Sequence, residues 1–481
     1  MFENSINLSP AVKIVLLILV LLALLTSNPF FTILALLFPP IAAKLLWKKN
    51  EPPILFLGMM FQWLQVTIKV FHADIFDVPF VTVTDYPENI NAAFLLCLGA
   101  LFVQSVGIFL VIRNFSCPPL SHLNKMMDFY SLNKITTFYI LFSLVTPLLL
   151  TITPGSLLQF VYKLGDFKWA IFFIFYCATF LKGARTYNFY FIIFIEIILG
   201  FTGYFSSFKD FFLFIAICYL TIKQRLSAPQ YILLGMSAVL VFNIMIVWQT
   251  VKGDYRAYLS GGVTAQIVTV SRTEALNVLS YRVSTLGRAE YQKGMRQLVE
   301  RISYIGFFSA AKSYVPSHLP YENGKLWGDA ITKIFTPRIL FPNKAVIDDS
   351  EKTRKYTGLS FAGAEQGTSI SLGYVAESYV DFGSVFMFIP LFFFGMVIGG
   401  VYSYIIRNTY NQLLGYACAI PLFFQLYTFE LALDKEIGAL IAYFIVYLIV
   451  RKFGIPSVEK IISKTRNSTR KHEYSTRQRL V

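Results

Sequence analysis

The stretch from Thr336 to Gly383 carries Arg338, Lys344, Arg354, Glu365 and Glu377 and runs straight into an apolar segment. Cations and carboxylates beside a hydrophobic wall suit chemistry on an amphiphilic, anionic substrate. A diphosphate offers several acceptor oxygens, and the planar fork of arginine matches two at once. Arg338 follows Pro337, and Lys344 follows Pro342 by two positions, so proline restrains the backbone near both cations. An ion pair with Asp348, Asp349 or Glu351 is the structural alternative for either one. Glu377 lies six residues before the apolar run that opens at Gly383. A low dielectric there raises a carboxyl pKa, and an attacking hydroxyl needs a base within reach as its proton leaves. The alternative for Glu377 is a carboxylate in the first turn of a helix, favoured by the macrodipole. Asp381, directly before the apolar run, fits that alternative better. His318, in SYVPSHLPYENG, is a candidate substrate contact.

These groups need a frame. The chain is 56% hydrophobic and only 14% charged over 481 residues, whereas soluble domains carry about a quarter charged residues. The apolar runs are continuous rather than alternating, which selects helices over a barrel. They predict an all-α polytopic membrane protein with about twelve spans, near 10–25, 29–46, 53–72, 91–112, 136–152, 157–181, 188–203, 209–222, 229–249, 383–406, 413–429 and 436–450. The exits of even-numbered spans are basic, as at Lys44, Lys48 and Lys49, or Lys182 and Arg185. The 72–91 connection holds Asp74, Asp77, Asp85 and Glu88 with no Lys or Arg. The positive-inside rule then puts both termini in the cytoplasm. Four segments follow: an N-terminal bundle (1–249), one large extracytoplasmic loop (250–382), three further spans (383–450) and a basic cytoplasmic tail (451–481). The loop begins with helical periodicity, Leu276, Leu279, Val283 and Leu286 forming an apolar face that includes Arg282, and then Leu298, Ile302, Ile305 and Phe308. Its second half is punctuated by Gly and Pro. Away from the loop, Glu196 is an isolated carboxylate within an apolar run, a functional candidate by default.

Several functions are excluded or disfavoured. The net charge of +15 belongs to loops and tail rather than to a nucleic-acid-binding module. Five scattered cysteines without a CxxC pair support neither a disulfide framework nor zinc. No Walker motif is present. Asp348–Asp349 is the nearest approach to a metal-binding acidic pair, and no metal or other cofactor is expected. The first apolar run lacks a basic lead and a small-residue cleavage site, and reads as a retained helix.

The run YENG at 321–324, then TPRILFPNK from Thr336, then GYVAESYVDFG from Gly373, resembles the Wzy-type oligosaccharide repeat-unit polymerases of bacterial surface polysaccharide pathways. The matching positions are Pro337, Arg338, Pro342, Lys344, Gly373, Glu377, Tyr379, Phe382 and Gly383, with Arg282 as the upstream arginine. The close resemblance covers roughly 280–400. It departs in lacking an Arg followed eleven residues later by Gly in the loop. The resemblance implies a fold similar to C-type membrane glycosyltransferases and O-antigen ligases, in the bacterial inner membrane. It implies transfer of a growing glycan from undecaprenyl diphosphate to the non-reducing end of a new lipid-linked repeat unit. In that reading Arg282, Arg338 and Lys344 hold the diphosphate, Glu377 serves the acceptor hydroxyl, and Tyr379 and Tyr321 contact sugar. Donor and acceptor lipids, membrane lipids and a candidate chain-length regulator protein are the partners. An O-antigen ligase is the nearest rival; a repeat-unit flippase is disfavoured by the long loop and the lack of an internal repeat.

Overall fold

The computed structural model describes residues 5–6, 9–183, 187–202, 208–223, 226–262, 269–336, 341, 348–361, 363 and 369–464. Arg338, Lys344 and Glu365 lie outside the described residues, as does the tail from 465. Among the described residues the regular structure is helical, and strand pairing is limited to two isolated bridges, Ser5 with Lys48 and Tyr130 with Ser463.

The chain forms two compact units, 1–184 with 303–481, and 185–302. The first unit opens with α1 (Pro10–Ala23), α2 (Pro29–Leu46), α3 (Ile54–Ile75), α4 (Ile90–Ile112), α5 (Ser121–Met126), α6 (Leu132–Ile152), α7 (Leu158–Asp166) and α8 (Lys168–Phe180). The second unit holds α9 (Tyr187–Thr202), α10 (Phe208–Ile222), α11 (Ala228–Leu259), α12 (Arg272–Ser284) and α13 (Arg288–Ile302). The first unit resumes with α14 (Ile305–Tyr314), α15 (Lys325–Ile334), α16 (Asp349–Thr357), α17 (Tyr374–Phe386), α18 (Phe388–Asn408), α19 (Gln412–Ala419), α20 (Leu433–Ile449) and α21 (Ile455–Ile462). The boundaries between the units fall at 184 and 302. The expected loop is divided: its amphipathic first half belongs with α9–α11, and its second half packs against α4 and α20.

Among the described residues seven helices are long and apolar enough to cross a bilayer: 29–46, 54–75, 90–112, 132–152, 229–259, 388–408 and 433–462. The protein is thus a helical membrane protein, and among the described residues seven of the twelve apolar runs form helices of full spanning length. The other five runs form shorter or broken helices. α1 has 14 residues and α10 has 15, about 21–23 Å at 1.5 Å per residue, short of the ~30 Å hydrocarbon core. The run 157–181 breaks at Phe167, after Lys163 and Asp166 pair at 3.6 Å. α8 is apolar all round because most of its side chains are buried within the protein. The run 413–429 becomes α19 followed by a 3₁₀ turn, Ile420–Gln425.

α4 and α18 form the centre of the first unit, and their backbones touch. A Cβ added at Gly107 would sit 2.2 Å from the Phe392 carbonyl oxygen, and one at Gly395 would sit 2.3 Å from that of Gln104. Small residues at such a crossing let dispersion and packing act where lipid tails remove the hydrophobic drive. Gly395→Leu is therefore expected to cost at least ~1–3 kcal/mol through overpacking. Gly400→Ala, which meets nothing within 4 Å, should be tolerated. Melting temperatures of the two variants in detergent check the contrast.

In the second unit, α12 starts with a capping box between Ser271 and Glu274. It packs on the end of α11 through Ala275, Val278 and Leu279, around Tyr255 and Leu259. The expected face was one step off: Leu276 and Val283 are exposed. α11 runs to Leu259 rather than ending near 249, and so supplies the surface that selects this face.

Candidate functional site

Three helices of the first unit begin at one place, and each carries a carboxylate in its first turn. They are α16 with Asp349, α17 with Glu377 and α20 with Asp434. Helix N-termini favour negative charge, so the residue types suit their positions. Lysines tie the three starts together. Lys352 of α16 lies 3.1 Å from Glu377 Oε2 and 3.7 Å from Asp434 Oδ2. Lys333, in the last turn of α15, reaches Asp434 Oδ2 at 2.6 Å. Lys435 of α20 pairs with Asp349, which also accepts from Ser369 Oγ at 3.2 Å.

Backbone geometry sets this arrangement. Gly373 precedes α17 at φ +89°, and a Cβ there would meet the Phe429 carbonyl oxygen at 3.1 Å. The Tyr374 N–H donates to Leu431 O, which docks the start of α17 beside the start of α20. The Tyr374 hydroxyl lies between the Gln62 and Gln104 side-chain amides, at 2.6 and 2.8 Å, anchoring α17 to α3 and α4. At its other end α17 breaks at Gly383, φ +69°, where a Cβ would lie 3.0 Å from the Tyr321 ring.

Glu377 is fully buried. Burial pushes its carboxyl up to about 7, with Lys352 pulling against that and Asp434 adding to it. Burial lowers Lys352, but Glu377 and Asp434 outweigh it and hold the ammonium above its ordinary value. The second oxygens of all three acids, Glu377 Oε1, Asp349 Oδ1 and Asp434 Oδ1, are buried without a hydrogen-bond partner. Buried polar atoms are usually satisfied, so each of these oxygens is an open acceptor position. Among the described residues no three His, Cys, Asp or Glu side chains gather as a metal site. The arrangement provides a titratable carboxylate poised near neutrality, an ammonium fixed beside it, and free acceptor positions.

The other expected site residues scatter. Tyr379 is 1% exposed, and its hydroxyl donates to Val315 O at 2.9 Å. Phe308 and Tyr321 pack on its ring. It is packed as a core residue here. Tyr321 is half-buried against Tyr379 and Gly383. His318 is exposed, stacked on Tyr314 at 4.7 Å, and joined to Ser317 Oγ through Nδ1 at 3.0 Å. Arg282 belongs to the second unit, exposed and 3.4 Å from Asp254. Glu196 is there too, on α9. Arg354 donates to Phe361 O and lies 3.8 Å from Asp348.

Asp381 caps a helix, though a different one from the helix it precedes. Its carboxylate accepts the N–H groups of Leu326 at 3.0 Å and Trp327 at 2.8 Å, the open start of α15. Trp327 Nε1 also donates to Ser378 Oγ at 3.0 Å. α15 in turn carries Lys333. Asp381→Ala is expected to cost ~0.5–2 kcal/mol, as loss of a helix cap does, readable as a lower melting temperature.

Lys333, Lys352, Lys435 and Asp434 are the functional candidates that sequence reasoning missed. One signal was available: Asp434, Lys435 and Glu436 abut the last apolar run, 436–450, as Glu377 and Asp381 abut the run 383–406. A family described as a domain of unknown function (DUF8712) matches residues 91–455, well over half of the chain. The match takes in every residue of the cluster. Neither a curated protein nor a solved structure matches.

Proposed function

The chain belongs to the DUF8712 family, and we propose that it is a membrane glycosyltransferase that polymerises undecaprenyl-diphosphate-linked oligosaccharide repeat units. The observation that carries this reading is Glu377, buried at the start of α17, paired with Lys352 and poised at about 7. It occupies the glutamate position of the stretch that resembles Wzy-type polymerases. Glu377 takes the proton from an acceptor hydroxyl as that oxygen attacks the anomeric carbon of the donor. The C–O bond to the lipid diphosphate breaks, and the diphosphate leaves with the electron pair. Lys352 holds Oε2 and so leaves Oε1 to face the hydroxyl. The Asp349 and Asp434 oxygens accept from neighbouring sugar hydroxyls. Arg338 is five residues along the chain from Lys333, and Lys344 five from Asp349, so two of the three cations assigned to the diphosphate are close to the cluster in sequence. The site faces the extracytoplasmic side of the inner membrane, with both termini cytoplasmic.

The test is reconstitution. Purified protein in liposomes with a lipid-linked repeat unit should yield a ladder of longer glycans and release undecaprenyl diphosphate, without nucleotide sugar or ATP. Transfer only to a lipid A core acceptor would identify a ligase instead. Movement of intact repeats across the bilayer without a ladder would identify a flippase. A base titrating near 7 predicts the pH profile: kcat/KM should rise about tenfold per pH unit below pH 7 and level off above it. A flat profile from pH 5 to 8 would remove Glu377 from that role.

A further inference from the structure

At the end of the bundle where α6 begins, an apolar groove meets a lysine-lined recess, and nothing in the proposed chemistry uses either. The open groove offers about 520 Å³ along one face of α6, from Asn133 and Lys134 through Phe138 and Leu141 to Val145, with Ile461 of α21 as its side wall. The recess, about 280 Å³, shares Asn133 and adds Ser131, Lys182 and Lys464. No carboxylate lines either one among the described residues. Two acids pair with lining residues: Asp128 with Lys182 at 2.6 Å, and Glu459, which accepts from Tyr130 at 2.7 Å. Lys134 Nζ gives one proton to Ser463 O at 2.8 Å, which leaves two of its three donors for a ligand.

We propose that one anionic phospholipid occupies this site, its phosphate in the recess and an acyl chain along the groove. Length favours this occupant. Asn133 to Val145 spans twelve helical steps, about 18 Å, close to one leaflet of a hydrocarbon core about 30 Å thick. Setting favours it as well: α6 is apolar enough to span a bilayer yet largely exposed within the protein, with Leu141, Leu144 and Val145 outward. Sign is the third argument. Lysines near a membrane surface attract anionic headgroups at about 1 kcal/mol each. The neighbouring 465–481 segment, with Arg466, Arg470, Lys471, Arg477 and Arg479 against Glu473, has the wrong sign to fill a lysine-lined recess. The site lies at the α6 start, joined to α21 through the Tyr130–Ser463 bridge, and is independent of the glycosyltransferase reading.

The experiment uses the full chain in a neutral detergent, titrated with phosphatidylglycerol or with phosphatidylcholine of the same acyl chains. Native mass spectrometry and the melting temperature are read. Phosphatidylglycerol should give a one-to-one adduct and raise the melting temperature by several degrees; phosphatidylcholine should do neither. Lys134→Glu with Lys464→Glu should weaken phosphatidylglycerol retention at least tenfold. Leu141→Trp, which fills the groove and leaves every lysine in place, should weaken it as well. Equal retention of both lipids overturns the proposal, as does phosphatidylglycerol binding unchanged in both variants. An equal thermal shift from inorganic phosphate alone, or a groove closed by dimerisation, would also overturn it.

Discussion

Glu377→Gln should abolish glycan extension while leaving the protein folded. A general base contributes on the order of 10²- to 10⁴-fold, and glutamine keeps the shape and the Oε acceptor for Lys352 but cannot take a proton. The expected result is at least a 100-fold loss of kcat with KM for the lipid-linked repeat little changed. In cells, the variant should leave single repeats in place of long chains. The sign of the linkage makes the stability side distinctive. The folded-state carboxyl sits at about 7 against an ordinary 4.5, so the folded state binds the proton more tightly than the unfolded one. The ionised carboxylate therefore costs stability. That cost is absent below about pH 4.5, grows as pH rises through 4.5 to 7, and is complete above that. Glu377→Gln removes the cost, so at pH 8 the variant should melt no lower than the parent. A variant that loses activity and unfolds at the same time would mark Glu377 as structural.

Lys352→Met should behave in the opposite way. Removing one partner of a buried ion pair costs about 3–5 kcal/mol because the other charge stays behind. Lys352 serves two carboxylates, Glu377 and Asp434. Asp434 keeps Lys333 at 2.6 Å, so the uncompensated charge falls on Glu377. Its carboxyl then rises further, and the penalty shows mainly at high pH. We expect a loss of ~2–4 kcal/mol at pH 8 that shrinks toward pH 5, where Glu377 is neutral. The double variant Lys352→Met, Glu377→Gln should recover most of that stability and none of the activity. A double-mutant cycle on melting temperature across pH measures the coupling directly. Additive losses would show that the two side chains do not act as a pair.

The two predictions probe the same geometry from opposite charges. The carboxylate is costly to the fold and, in the proposed reaction, takes the proton, while the ammonium offsets part of that cost. Active sites often store such tension, and a strongly shifted carboxyl beside a specific partner is a marker of one.

Much of this protein is legible in its sequence. Continuous apolar runs without alternation dictate helices in a membrane, because an isolated chain in lipid has no other way to satisfy its backbone. The position of Glu377 at the edge of an apolar run follows from the order of residues alone. Three things were decided by tertiary structure. Whether an apolar run becomes a full span depends on what packs beside it: the run 157–181 breaks at Phe167, and α8 is buried within the protein instead of facing lipid. Which partner a charge takes depends on contacts far away in sequence: Asp381 caps α15 across 54 to 55 residues, and Lys333 meets Asp434 across 101. Whether an aromatic side chain meets substrate or core is likewise a matter of packing, and Tyr379 is core. The physical reason is common to all three. Hydropathy and helix periodicity are local properties that a window of residues expresses by itself. Ion pairs, caps and burial are pairwise properties, and here they exist only because three helices, separated in the chain, begin at the same point in space.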